Sequence, residues 1–499
     1  MISSQSPILI PMTFLFAAML IPLVGAVNRA AAHLAAVLGS ALALYFSVIG
    51  MQTTLAQGRI SYHIAGWMPP IGIEFVLDPL SAFVCTLLCG VTFIVMVFGK
   101  RSVEYEIPQK EIAFYSLSML LLGGLAGMVM TGDLFNLYVY LEIAALAGYA
   151  LVAIGDKRAV VSAFRYLVMG TVGATFYLLG VALIFISTGT LNMADIAQLM
   201  PLVHDSPAVI VGLVLIVLGT ALKMALFPMH AWLPDAYTHA STTATALIAP
   251  IGTKVSAYVL FRVLFFVVDP DHLRTEMLNL LQIIGYLGAA GIIWGSIMAI
   301  CQSELKRMLA YSSVAQVGYI AVGIALASPL GFIGAILHAL NHAVMKCCLF
   351  LVSGNMRLRL GHSSIPLMTN GLRKSMPWTS AAFTLAAISM IGLPPTAGFF
   401  GKWYLALGAI EQSHWIFLTA LLISTILNVA YFFRVMERMY LKPQDPGGVD
   451  YSEQTIARSE APASMLIPTL FLAISLLVLG FANAWIVTNL IVPMIPGWL

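Results

Sequence analysis

Roughly fourteen apolar runs, each about 20 residues long, follow one another along this chain, and that repetition fixes the solvent in which it folds. They lie near 8–27, 31–50, 75–98, 112–131, 134–154, 162–187, 208–228, 242–266, 277–301, 308–327, 330–353, 378–410, 415–436 and 463–489. A segment in lipid must satisfy its own backbone hydrogen bonds, so continuous apolar runs of this length predict helices. The expected fold is all-α: a polytopic membrane protein of about 14 transmembrane helices, with residues 1–499 as a single membrane domain. Only 9% of the residues are charged, against about 25% in soluble proteins. The formal net charge of +3 says little about partners, and no nucleic-acid partner is expected. Residues 8–27 read as a first membrane helix and not a removable signal, because no basic segment or small-residue cleavage site flanks them. Cys85, Cys89, Cys301, Cys347 and Cys348 sit in or beside apolar runs and read as packing residues, although an i,i+4 metal pair at Cys85 and Cys89 is conceivable.

Charge placement gives an orientation. With the N-terminus outside, the cytoplasmic loops hold Arg29, Lys100, Arg101, Lys110, Lys157, Arg158, Lys306, Arg307, Arg357, Arg359, Arg373, Lys374, Arg434, Arg438, Lys442 and Arg458. The outer loops hold only Arg59 and Arg274. Sixteen cations against two is a strong positive-inside bias, and it places both termini outside, in a plasma membrane.

Six cations fall elsewhere: Arg165, Lys223, Lys254, Arg262, Lys346 and Lys402. Arg165 and Arg262 lie near span ends, where a long side chain can snorkel to the surface. The lysines are deep. Some fifteen apolar residues precede Lys223, a depth of roughly 20 Å. At about 2.5–3.5 kcal/mol each, four such lysines cost on the order of 10–14 kcal/mol, comparable to the net stability of a whole fold. A purely structural role for all four is therefore disfavoured. Opposing charge is scarce: Glu142 is the only carboxylate clearly inside a span, with Asp78 and Asp133 at span starts.

The stretch Ile216–Arg262 concentrates these features. Between Lys223 and Lys254 lie Pro228, His230, Pro234, Asp235 and His239. Proline removes a backbone donor, and a broken helix is tolerated at membrane depth only against protein or a watery cavity. A lysine five residues before such a break suggests an ion path, with His230 a further candidate inside the interruption. A second interruption, Gly392, Pro394, Pro395 and Gly398, precedes Lys402. His338, His342 and Lys346 are spaced i, i+4, i+8 and occupy one helical stripe about 12 Å long. Histidine exchanges protons near neutral pH. The competing readings are a two-histidine metal site and polar packing between helices.

The two interruptions are five spans apart. That odd offset predicts an inverted repeat, 112–266 against 277–436, flanked by N-terminal helices 8–98 and a C-terminal helix 463–489. Paired interrupted helices are a sequence pointer to a transporter site.

Several stretches together resemble one family: LDPLSAF (77–83), GDLFNLYVYLE (132–142), K-x-x-x-x-P-x-H-x-W-L-P-D-A (223–236), TKVSAYVLFR (253–262), LKRMLAYSSVAQVGY (305–319), HALNHAVMK (338–346) and GLPPTAGFFGKW (392–403). The chain is similar to the antiporter-like membrane subunits shared by Mrp-type multisubunit Na+/H+ antiporters, respiratory complex I and membrane-bound hydrogenases. Its length and the GDLFNLYVYLE stretch look most like the D-type member of Mrp systems, while YTHASTTATALIAP (237–250) departs from the family's proline-containing run. The resemblance implies that Glu142 pairs with Lys223, and that Lys254, His338, His342, Lys346 and Lys402 continue a hydrated proton axis. It also implies partner membrane subunits and transport of protons with Na+ or K+. No iron–sulfur cysteine cluster and no G-x-G-x-x-G motif is present, so neither cofactor nor metal is expected in this chain, and redox chemistry would belong to a partner. The expected function is a proton-translocating subunit of a cation/proton antiporter, an ion transporter and not itself an enzyme. The alternatives are the corresponding subunit of a redox-driven complex I-type or hydrogenase assembly, a self-contained small-solute symporter, and a membrane scaffold.

Overall fold

Many of the transmembrane helices begin at a side-chain cap: Asn28, Asp78, Asp133, Ser241, Asn279 and Ser328 each accept a hydrogen bond from a first-turn backbone N–H. The computed structural model describes residues 2–268, 279–443, 460–497 and 499. Arg274 and Arg458, two of the cations that set the expected orientation, lie outside these residues. The helices are α1 (Ile2–Val27), α2 (Arg29–Gln57), α3 (Pro79–Glu106), α4 (Glu111–Met130), α5 (Leu134–Ala153), α6 (Ala159–Thr188), α7 (Met193–Val203), α8 (Pro207–Met224), α9 (Trp232–His239), α10 (Thr242–Arg262), α11 (Leu280–Ile300), α12 (Leu305–Ala325), α13 (Pro329–Leu360), α14 (Gly371–Ser375), α15 (Pro377–Ile391), α16 (Ala397–Glu411), α17 (Trp415–Tyr440), α18 (Ala463–Phe481) and α19 (Asn483–Ile486). Among the described residues thirteen helices are long and apolar enough to cross a membrane. The remaining expected span is the broken one, present as half-helices α15 and α16. The chain is a helical, multi-pass membrane protein.

The helical fold carries one small hairpin, and two span boundaries shift. The chain is not purely helical: β1 (Ile60–His63) and β2 (Glu74–Leu77) pair antiparallel, His63 opposite Glu74 and Ile60 opposite Leu77. The third span therefore starts at Pro79 and not at 75. Asp78 and Ser81 form a capping box with proline at the first helical position, a strong start signal. The last span is also shorter than 463–489, because α18 ends at Phe481 and a separate short turn, α19, follows.

The breaks lie where proline and glycine predict them. α8 stops at Met224, with Ala225 in the left-handed region at φ 61°, before Pro228. A short α9 then completes the crossing. α15 ends on Gly392 at φ 92°, a conformation that favours glycine. α16 returns so closely that a Cβ on Gly398 would lie 1.8 Å from the Ser389 carbonyl oxygen. Three spans form the interior: 89% of the central window in Thr242–Val267 and 94% in both α12 and α13 is buried, against 28% for α2. The polar residues of the stripe lie on these interior helices.

Candidate functional site

α12 and α13 run antiparallel and face each other with matched polar stripes. On α13, His338, His342 and Lys346 are all fully buried. On α12, Ser312, Gln316 and Tyr319 are fully buried at i, i+4 and i+7. The register is fixed at two points. Lys346 Nζ donates to Ser312 Oγ and, at 2.7 Å, to the Leu309 carbonyl. Tyr319 stacks on His338 with ring centroids 5.0 Å apart. Antiparallel spacing between those two contacts sets Gln316 opposite His342. The rings of His338 and His342 are stacked 5.9 Å apart, and all four ring nitrogens lack a partner among the protein's own groups. Both amide atoms of Gln316 and the Tyr319 hydroxyl share that condition. Buried polar groups are hydrogen-bonded to protein or ordered water, so a run of seven such atoms calls for bridging water.

Lys402 closes one end of this stripe. It is half-buried on α16, with Nζ 5.1 Å from the centroid of the Tyr319 ring. It donates to the Met390 and Ile391 carbonyls at 2.9 and 3.0 Å. Those carbonyls are the ones left over where α15 stops, as any helix C-terminus leaves them. Lys254 approaches from α10 and donates to the Ala249 carbonyl at 2.9 Å and to Thr253 Oγ1 at 3.2 Å. α10 packs along α13, and Lys402 lies over the Tyr319 ring on which His338 stacks, so Lys254, His338, His342, Lys346 and Lys402 come from helices packed around one interior.

Glu142 and Lys223 form a second centre. No salt bridge within 4.0 Å joins them among the described residues. Lys223 Nζ instead donates to Tyr149 Oη at 3.1 Å and lies 5.6 Å from that ring's centroid. Glu142 is half-buried, with Oε1 unpartnered, and is the carboxylate whose charge acts on Lys223. Tyr149 packs edge-on against Tyr166 at 4.6 Å, and Tyr166 stacks on Trp232 at 4.1 Å. Trp232 Nε1 donates to the Leu222 carbonyl at 3.0 Å, tying α9 back across the break. A cavity of about 40 Å3, enough for about one water, is lined in part by Lys223, Tyr166, Trp232, Thr253 and Ser256. Most of its remaining lining is apolar, with Leu121, Leu125, Met128 and Ile248 among it, and the cavity lies between α5 and α10.

His230 joins neither. It is buried in the break, stacked 5.5 Å from Phe227, which in turn faces Trp294 of α11. Arg262 does not snorkel: it pairs with Asp78 at 2.6 Å. Arg165 pairs with Asp235 at 2.6 Å, and Arg307 meets the same carboxylate at 3.3 Å. Lys306, expected in a loop, is 1% exposed and donates to the Ala240 carbonyl at 2.6 Å. Four of the five cysteines are buried packing residues, while Cys301 is exposed.

Tyr149, Ser312, Gln316, Tyr319 and Thr253 went unremarked as site residues in the sequence. Tyr149 lies two turns from Glu142 on the same face of α5. The other α12 residues repeat at helical spacing inside LKRMLAYSSVAQVGY.

Fold and site together define a multi-pass membrane protein organised around an internal line of protonatable side chains on and beside broken helices. The chain belongs to the NADH:quinone oxidoreductase/Mrp antiporter transmembrane family, whose model matches residues 131–428. It is 47% identical over 467 residues to the N-type subunit of NADH-quinone oxidoreductase from Desulforudis audaxviator, covering 92% of each chain. It is 29% identical to the D-type subunit of the Na(+)/H(+) antiporter from Alkalihalophilus pseudofirmus, covering 88% of this chain and 87% of that one. Among solved structures it matches a chain of the membrane-bound sulfane sulfur reductase, an archaeal respiratory membrane complex, with TM-score 0.89, 29% identity, and coverage of 98% of this chain and 97% of that one.

Proposed function

We propose that this chain is the proton-translocating membrane subunit of a multisubunit cation/proton (Na+/H+) antiporter, working with other membrane subunits in the plasma membrane. The observation that carries the reading is the cluster of Lys254, His338, His342, Lys346 and Lys402 in and beside the three most buried spans, without a carboxylate in contact among the described residues. Cations buried at that cost mark an ion or proton path. Glu142 and Lys223 form its other terminal, with Tyr149 holding the lysine between encounters with the acid. The positive-inside bias supports both termini outside. A broken helix in each of the segments 112–266 and 277–436 supports the inverted repeat, although Lys223 precedes its break and Lys402 follows its own.

The test is Glu142→Ala and Lys223→Ala in the assembled complex. Each abolishes ion transport while assembly survives. Full transport in either variant at matched protein levels removes this pair from the mechanism.

A second reading rests on the 47% identity to the N-type subunit of an NADH-quinone oxidoreductase. In it the same proton path is driven by redox chemistry in partner subunits. Co-purification with iron–sulfur proteins, and proton movement that needs an electron donor but no Na+, separates it from the antiporter reading. In both, this chain moves protons; in the first reading the proton gradient is the drive, and in the second the drive is redox chemistry in the partners.

A further inference from the structure

The Asp78–Arg262 pair lies in a cavity that the proton path through the lysines and histidines does not use. Arg262 donates to both carboxylate oxygens of Asp78, at 2.6 and 2.9 Å, and also to the Tyr258 hydroxyl at 2.9 and 3.1 Å. Tyr258 in turn donates to the Val129 carbonyl at 2.8 Å. Lys254, Tyr258 and Arg262 are spaced i, i+4, i+8 on α10. This second stripe leads from the buried lysine cluster to the end of the bundle that carries the hairpin. The cavity there is about 160 Å3, room for on the order of ten waters. Asp78, Arg262 and Tyr258 line it, together with Arg59 and Glu74 from the hairpin and Ala194. Glu74 is already held by Arg59 at 2.9 Å and by Asn192 Nδ2 at 2.9 Å, and His63 lies 3.8 Å from it. Asp78 thus has no competing cation besides Arg262 in direct contact among the described residues.

We propose that this cavity is the outward mouth of the proton path, with Asp78 the acid that exchanges protons with external water, Tyr258 the relay towards Lys254, and Arg262 the gate between them. The proposal rests on the proton-translocating reading and on the orientation with both termini outside. In the closed arrangement burial pushes the Asp78 carboxyl up, and the charge and hydrogen bonds of Arg262 pull it down by more, leaving it below the usual carboxylate range. Asp78 is therefore ionised while Arg262 grips it, and it accepts a proton only when the guanidinium turns away. With the guanidinium turned away, the Tyr258 hydroxyl swings from the Val129 carbonyl to the Asp78 carboxylate and gives it its proton, regains one from the Lys254 ammonium through water, and Asp78 releases its proton to water in the cavity. Reversal of the same transfers carries it inward.

The test uses the whole complex in vesicles. Asparagine is as good a helix N-cap as aspartate, so Asp78→Asn keeps the cap on α3 while removing the charge and proton exchange and leaving Arg262 without its counter-ion. It slows proton translocation at least tenfold. Asp78→Glu, which keeps an exchangeable acid but not the pairing geometry, retains at least a third of the rate. Ala194→Cys reacts with a membrane-impermeant thiol reagent added outside. Should Asp78→Asn fail to assemble, Asp78→Asn with Arg262→Gln, which leaves no lone buried charge, carries the same tenfold loss. A wild-type rate in the asparagine variant, equal losses in asparagine and glutamate variants, or no external labelling at Ala194→Cys overturns the proposal. If Glu142→Ala and Lys223→Ala also run at the wild-type rate, the proton-translocating reading fails as well; if those are dead and Asp78→Asn is not, only the outward mouth fails.

Discussion

Replacing Gln316 with leucine separates a wet stripe from a dry one. Gln316 is fully buried on α12, opposite His342, and neither amide atom has a protein partner. If the interface were dry, those two atoms would be an unrelieved burden of about 1–3 kcal/mol each, and an apolar side chain of similar length would relieve it. Gln316→Leu would then raise the thermal midpoint of the complex and leave transport untouched. If water bridges Gln316 to the rings of His338 and His342, leucine removes the group that orients it. Losing one such interaction, about 1–3 kcal/mol, slows proton transfer roughly 5- to 150-fold at about 1.4 kcal/mol per decade. The histidine rings, 5.9 Å apart between centroids, cannot hydrogen-bond directly while stacked, so no dry route replaces the lost water. The assay is the initial rate of acidification in vesicles carrying the complex, read with a pH-sensitive dye, beside a melting curve of the same preparation. The expected result is a rate loss in that range without a gain in stability. A variant that melts higher and pumps at the full rate refutes the reasoning.

Tyr149→Phe removes the acceptor 3.1 Å from Lys223 but keeps the ring beneath it; turnover falls several-fold, and unchanged turnover shows that the hydroxyl is idle. Lys402→Ala and Lys402→Arg both block turnover if Lys402 carries a proton, because arginine keeps its charge at working pH; recovery in the arginine variant alone makes it an electrostatic anchor. Between the spans, burial pushes the Asp156 carboxyl up while hydrogen bonds from His239 and the Arg158 backbone N–H, with the His239 charge, pull it down further, for a net lowering. Its stabilising contribution is thus present above the ordinary carboxylate value of about 4 and is lost as pH falls through the depressed one. Asp156→Asn is accordingly less stable than the wild type at neutral pH, and the two converge in acid; a gap that persists at low pH contradicts this.

The spans were legible because lipid leaves a chain few choices, and twenty apolar residues in a row state theirs plainly. The breaks were legible because breakers cluster there, Pro228 with Pro234 and Gly392 with Pro394 and Pro395; single prolines such as Pro250 and Pro468 sit inside unbroken helices. Lys254, Lys346 and Lys402 stood out because burying a cation is costly, and His338 and His342 because they share the helical face of Lys346. What the sequence hid was pairing. Arg262 at a span end reads as a snorkelling cation until α10 meets the start of α3 and Asp78 appears beside it, 184 positions away in sequence. Tyr149 and Gln316 carry no charge, and an uncharged polar residue in a membrane helix has no energetic signature until its neighbours are known. The hairpin was hidden because Glu74–Leu77 continues without a break into an apolar run, and only the Asp78–Pro79 cap separates strand from helix.

A donor count shows how the buried lysines can be loaded and unloaded. A lysine ammonium has three N–H donors, whereas the neutral amine has two and a lone pair. Lys254, Lys346 and Lys402 each meet two acceptors from the protein, every one a backbone carbonyl or a hydroxyl. Two acceptors satisfy the neutral amine and leave its lone pair free to take a proton. The charged form has a third donor that the protein does not meet, so a water must supply the last acceptor. Loading any of these lysines is thereby coupled to wetting its surroundings, and unloading lets the water leave. A carboxylate in contact would break this coupling by holding the charge permanently, which gives a physical reason for Glu142 to stand apart from Lys223. Lys223 meets one acceptor, Tyr149, and opens onto the small cavity that reaches Thr253. It therefore needs an acceptor beyond the protein's own groups in either state.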